Sequence, residues 1–153
     1  MIYSLYYPSF KKITVTCFVI FTSVFAHAQN ATNYTFSSTT GATLDAMTGA
    51  TTLINASIDD GVSSVTNIGF PFMYENTAYT QFSVNSNGLI RLGGTVVSND
   101  WTNALSDNSD NPKIMPIWDD LCTGTGGSVK YLVTGTAPNR ILKIQHFGRM
   151  DAT

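Results

Sequence analysis

Two groups of residues in this sequence could do chemistry. The first is acidic: Asp119 and Asp120 are adjacent, with Asp107 and Asp110 a short way upstream among Asn and Ser. A hard cation such as Ca2+ takes about six to eight oxygen ligands, and carboxylates with neighbouring carbonyls are the donors it prefers. The spacing matches no EF-hand loop, and Asp caps turns without any metal. A calcium site at Asp107, Asp110, Asp119 and Asp120 is therefore a candidate beside plain turn-capping, and the chain requires no cofactor. Asp59-Asp60-Gly61 reads more simply, as a turn.

The second group is Cys122 with His146. A thiol needs a base within hydrogen-bond reach, and the base needs a third group to orient it; no such third residue is evident. His146 shares strand parity with Leu142 and Ile144, which makes it a packed strand residue, and Cys122 reads as a buried structural thiol. The cluster Gly124 to Gly127 lacks the Lys-Ser/Thr of a phosphate loop and leads toward a strand, not a helix. With no assembled acid, base or nucleophile, the expectation is a chain that is not an enzyme. Tyr79 and Trp101 are aromatics on which a sugar ring could stack, although aromatics in β-modules more often belong to the core or its rim. Asn30, Asn33 and Asn55 each open an Asn-x-Ser/Thr triplet.

The segment that precedes these groups sets their compartment. Lys11 and Lys12 are followed by the uncharged run Ile13 to Phe25 and then by Ala26-His27-Ala28. This order of basic, apolar and small-x-small residues is that of a secretory signal peptide, so residues 1–28 are read as a leader cleaved after Ala28 and residues 29–153 as one β-sandwich module. The run is shorter than the roughly 20 residues a spanning helix needs, so no transmembrane span is expected once the leader is gone. Cys17 lies inside the run and not at its boundary, which argues against a lipoprotein signal. Only Cys122 follows the leader, so an internal disulfide is impossible. The formal charge of −2, with 8 basic against 10 acidic residues, becomes more negative when Lys11 and Lys12 are removed. Nucleic acid is excluded as a partner, because phosphate binding needs clustered Lys and Arg.

The elements that must hold these residues are strands. Phe70, Phe72 and Tyr74 alternate with Pro71 and Met73, and Thr80, Phe82 and Val84 alternate with Gln81 and Ser83, the period of two that marks a half-buried strand. Pro71 cannot donate to a ladder, which places it on an edge or at a bulge. Asn85-Ser86-Asn87-Gly88 reads as the hairpin turn before Leu89 to Leu92. Further strands are predicted at Tyr34 to Ser38, Thr51 to Asn55, Ile114 to Trp118, Ser128 to Thr134 and Arg140 to Phe147. The polar stretch from Gly93 to Asn111 is a loop. Phe70, Phe72, Phe82 and Trp118 are the expected core anchors, with Asp119 and Asp120 satisfying backbone donors where the strand of Trp118 ends. The fold class is all-β, an antiparallel β-sandwich of jelly-roll or immunoglobulin-like type.

Three motifs in order, Ile68-Gly69-Phe70-Pro71-Phe72, then Phe82 to Gly93 with Ser86-Asn87-Gly88 at its centre, then Ile114-Met115-Pro116-Ile117-Trp118-Asp119-Asp120-Leu121, carry a resemblance. The chain resembles the N-terminal β-sandwich module of large exported proteins of gram-negative bacteria that use the type IX, gliding-associated secretion route. It is more weakly similar to nidogen-like extracellular domains. The resemblance implies further strands after Phe147, so the module ending at Thr153 is expected to be truncated at its C-terminal end. It also implies a secreted or cell-surface location, reached through the periplasm. The expected function is adhesion or ligand binding without catalysis, the partner being an extracellular glycan, matrix or a neighbouring domain. Two alternatives stand beside it: an accessory domain at the head of a secreted hydrolase whose catalytic part is missing, and a calcium-dependent lectin-like domain.

Overall fold

Apolar residues at every second position bury one face of a pleated chain and leave the other free. In the structure, a computed structural model that describes Ser38, Thr40, Gly41 and residues 43–151, strands are what those positions form. The leader with its cleavage point Ala28, the triplets at Asn30 and Asn33, and all of the Tyr34 to Ser38 strand except Ser38 lie outside the described residues. The strands are β1 (Thr51–Ile54), β2 (Thr66–Tyr74), β3 (Thr77–Val84), β4 (Ile90–Leu92), β5 (Lys113–Ile114), β6 (Leu121–Cys122), β7 (Ser128–Thr134), β8 (Ile141–Phe147) and β9 (Arg149–Met150). No helix occurs among the described residues. One sheet has the order β1-β7-β8, a second β2-β3-β4-β5, and β6 pairs with β9 in a short ribbon. Every pairing is antiparallel.

A common core joins the two larger sheets. Ile68, Phe82, Val84, Ile90 and Leu92 come from the four-stranded sheet, Ile54 and Val129 from the three-stranded one. The Phe82 ring meets Tyr131 edge-on, with centroids 5.6 Å apart and planes at 74°, the geometry that aromatic quadrupoles favour. Phe82 is completely buried, and burial of such a side chain stabilises by about 1.5–3 kcal/mol. Phe70, Phe72 and Tyr74 line up behind Ile68 on the inward face of β2 and pack against the same core. The molecule is thus an all-β sandwich, as the alternation predicts.

Pro71 occupies the place its chemistry demands twice over. β2 is an edge strand, and its register with β3 shifts between Asn67 and Phe72. Gly69, at φ +85°, supplies the backbone conformation of this bulge. Glu75 and Asn76, both with positive φ, close the β2–β3 hairpin in two residues.

The predicted strand from Ile114 to Trp118 is shorter than expected. Only Lys113 and Ile114 pair with β4, after which Met115-Pro116-Ile117 leaves the sheet. Pro116 has no N–H to give a ladder, and Trp118 is drawn elsewhere. Its indole Nε1 donates to the Asp100 carbonyl at 3.0 Å, and its ring packs with Leu89, Val97 and Met115 in a second apolar cluster. Trp118 is therefore a core anchor, but of this cluster and not of the layer between the sheets. β6 and β9, two residues each, have no signal in the sequence pattern.

Candidate functional site

The polar loop between β4 and β5, residues 93–112, is held in place by the outward face of the second sheet. Ser83 on β3, Arg91 on β4 and Lys113 on β5 stand side by side, since Ser83 pairs with Arg91 and Arg91 with Lys113. Each grips the loop. Ser83 Oγ accepts from Val97 N at 2.8 Å and donates to the Thr95 carbonyl at 3.3 Å. Arg91 forms an ion pair with Asp110 at 3.1 Å. Lys113 Nζ donates to the Asp107 carbonyl at 2.7 Å and lies 4.5 Å from the centre of the Trp118 ring, close enough for a cation–π attraction.

The turn of Asn85-Ser86-Asn87-Gly88 completes the attachment, because it is buried instead of lying at the surface. Asn85 Nδ2 donates to the carbonyls of Ser98 and Asp100, while its Oδ1 accepts from Leu89 N at 2.8 Å. Asn87, also fully buried, donates to Asp60 Oδ1 at 2.9 Å and to the Asn99 carbonyl at 3.1 Å, and accepts from Leu121 N at 2.9 Å. Buried amides cost free energy unless both ends are bonded, and here both ends are. Gly88 is required by space as well as by its φ of +91°: a Cβ there would stand 1.6 Å from the Ile117 carbonyl oxygen. Asn87 and Gly88 do form the predicted turn, but they also tie three separate segments together.

Three faces of this assembly meet solvent. On the loop, Trp101 is 49% exposed and Leu105 77%, whereas Tyr79 packs against the inter-sheet core. At one end, Asp59, Asp120 and Asp151 each bring a carboxylate oxygen within 4.8 Å of the others. The Asp120 carboxyl is pushed above the ordinary carboxylate range by desolvation and then by the negative charges of Asp151, Asp59, Asp60 and Asp119. Between the sheets, a cleft of about 400 Å3 is lined by Ile90, Ile117, Leu121, Val129 and Ile144, with His146 beside them.

Of the four aspartates singled out as calcium ligands, only Asp120 joins the three-carboxylate group. Asp110 is buried and spent on Arg91 and on Ser98, whose N and Oγ both donate to it. Asp107 caps a turn by accepting from Ser109 N and Oγ, and these bonds hold its carboxyl below the ordinary value. Asp119 accepts from Asp120 N at 2.9 Å, capping a bend in the loop that leads to β6 and not the end of a strand, because the strand it was expected to close stops at Ile114. Asp59 and Asp151 were not distinguishable in sequence: the first looks like any Asp-Asp-Gly turn, and the second is delivered by the β6–β9 ribbon, where Asp151 N donates to the Asp120 carbonyl at 2.9 Å. Cys122 is buried and pairs in register with Arg149. His146 makes no hydrogen bond through either ring nitrogen, so the two do not form a dyad. No described helix is long and apolar enough to cross a membrane.

Sandwich, pinned loop and acidic end define an all-β sandwich module. The family model described as NIDO related matches residues 33–149, and the chain belongs to that family of extracellular, nidogen-like domains. Comparison with curated proteins and with solved structures gave no match.

Proposed function

We propose that the chain is a non-catalytic adhesion or ligand-binding module, contacting a glycan, matrix or a neighbouring domain through the loop of residues 93–112. The observation that carries this reading is the exposed Trp101 on a long loop fixed at both ends and along its length. Loops of this length without secondary structure are uncommon and usually functional, and one whose carbonyls are already held by Ser83, Asn85, Asn87 and Trp118 loses little entropy on binding. A flat aromatic on such a loop suits a sugar ring or an apolar protein surface. The same buried donors and acceptors are committed to structure, which leaves no assembled acid, base and nucleophile among the described residues. A glycan array and pull-downs with Trp101→Ala test the reading: binding that falls at least tenfold in the variant at unchanged melting temperature supports it, and equal binding by both proteins refutes it.

A second reading is favoured by the three carboxylates. Their mutual repulsion would be relieved by a divalent cation, and Asp59, Asp120 and Asp151 together offer oxygen donors of the type Ca2+ prefers. A rise in melting temperature with added Ca2+ that disappears in Asp120→Asn supports calcium; no rise refutes it. The proposal extends to export, with residues 1–28 acting as a leader cleaved after Ala28 and the type IX route as the path to the surface. N-terminal sequencing of the secreted protein, and its retention in cells lacking that route, test this part.

A further inference from the structure

Along β8 the two larger sheets leave a trough between them. It consists of two adjoining clefts, of about 400 and 340 Å3, which share Ile90 of β4 and Ile144 of β8 as walls. Phe72 and Leu142 line one cleft, Leu121 and Val129 the other, so the walls are mainly apolar along the whole length. Small-molecule sites have volumes of about 300–1,000 Å3, in which apolar walls supply affinity and a few polar groups fix orientation. None of residues 93–112 borders either cleft, so the trough is separate from the loop of the proposed function. The two ends of the trough differ in charge. Arg140, immediately before β8, lines the first cleft; its guanidinium lies 5.0 Å from the centre of the Phe70 ring and donates to the Gly69 carbonyl at 3.2 Å. A guanidinium carries five donors in a planar fork that fits a carboxylate, and no carboxylate pairs with Arg140 among the described residues. Arg149 stands at the other end, but it shares a neighbouring pocket with Asp59 and Asp151, two of the three converging carboxylates, which repel an anion. His146 is also at that end, and burial pushes its imidazole below the ordinary value, which leaves it largely uncharged at neutral pH.

We propose that the trough binds one free long-chain fatty acid, its carboxylate on Arg140 and its acyl chain laid along β8 past Ile90 and Ile144 toward Val129. Charge complementarity sets the direction: the head goes to the cation that has no carboxylate beside it, and the tail to the uncharged end. Length agrees as well, because the seven residues of β8 span roughly 23 Å and an extended palmitoyl chain is of comparable length. A single unbranched chain also suits two clefts that meet at one pair of aliphatic side chains, where a ring system or a folded peptide needs more width.

The test is equilibrium binding of palmitate to the full chain at neutral pH, below the concentration at which palmitate aggregates, with decanoate, hexadecanol and phosphatidylglycerol vesicles as comparisons. The expected result is saturable one-to-one binding of palmitate. Each methylene taken out of water adds about fourfold in affinity, so decanoate should bind at least tenfold more weakly even where the walls cover only part of each methylene. Arg140 is exposed, and Arg140→Gln should weaken palmitate at least threefold, the scale of a rim ion pair, and leave hexadecanol unchanged. Nuclear magnetic resonance with labelled palmitate locates the chain, through cross-relaxation between its methylenes and the methyl groups of Ile90 and Ile144. Absence of saturable binding overturns the proposal, whether the trough is then filled by other residues of the chain or by a second copy. Equal effects of Arg140→Gln on palmitate and hexadecanol overturn it, as do methylene contacts away from Ile90 and Ile144. Binding to vesicles that free palmitate does not compete away would assign the surface to a membrane and overturn it too. If Arg140→Gln does not fold, the contacts in the native chain decide.

Discussion

Replacing Asn87 by Ala removes one side chain and disconnects three segments at once. Its amide donates to Asp60 and to the Asn99 carbonyl, and its oxygen receives the Leu121 N–H. Each bond contributes about 0.5–1.5 kcal/mol net, and a buried group left without a partner costs about 1–3 kcal/mol. The Leu121 N–H and the Asn99 carbonyl are the two backbone groups stranded, while Asp60, which is exposed, can turn to water. The expected loss is about 3–5 kcal/mol, a large part of the roughly 5–15 kcal/mol that holds a domain together. Urea unfolding followed by tryptophan fluorescence measures it as a fall in midpoint at unchanged slope. The exposed Asn55, whose side chain makes no hydrogen bond among the described residues, is the matched control: Asn55→Ala should change stability by less than about 0.5 kcal/mol. A loss below about 1 kcal/mol in Asn87→Ala would refute the hub, since it would mean that water replaces all three bonds.

Three further outcomes follow from the same geometry. Gly88→Ala places a methyl 1.6 Å from the Ile117 carbonyl oxygen, so it should abolish soluble folded protein, whereas Gly126→Ala, with open space around it, should cost only the strain of its positive φ; expression and circular dichroism compare them. The Asp120 carboxyl is raised in the folded chain, so its contribution to stability is present below the ordinary value of 3.8 and lost as pH rises through its folded value. Accordingly, Asp120→Asn should raise the melting temperature at pH 7 without calcium, and the gain should disappear near pH 3. His146 is lowered by desolvation from 6.5, so its contribution is present above that value and lost as pH falls through the folded one; His146→Phe should flatten the stability profile on the acid side of pH 6.5 in thermal melts.

The architecture was legible where a single periodicity decides it. Phe70, Phe72 and Phe82 fall on one face of their strands because side chains alternate, and Pro71 marks an edge and a bulge because it lacks a donor. Turn chemistry was equally plain at Asn87-Gly88. What the alternation does not encode is which polar residues the tertiary fold will bury. Ser83 and Arg91 look like solvent-facing alternates of Phe82 and Leu92, and they do point away from the inter-sheet core, yet a second layer built from residues 93–112 covers them. Asn85 and Asn87 carry the same local signal whether a turn is exposed or enclosed. The Ile114 to Trp118 run reads as a strand until Trp118 finds the Asp100 carbonyl, a partner distant in sequence. For the same reason the carboxylates that converge, Asp59, Asp120 and Asp151, come from three separate segments, while Asp107 and Asp110, near Asp120 in sequence, are spent elsewhere.

Hydrogen exchange at Val97 tests most directly whether the long loop is built into the sandwich. Its amide donates to Ser83 Oγ from a buried position, so it should exchange as slowly as the paired amides of β3 and β4, and at least a hundredfold slower than the exposed Asn103 amide, by analogy with other core amides. Exchange of Val97 at the rate of Asn103 would mean that the loop is not held, and a fixed surface bearing Trp101 would not exist.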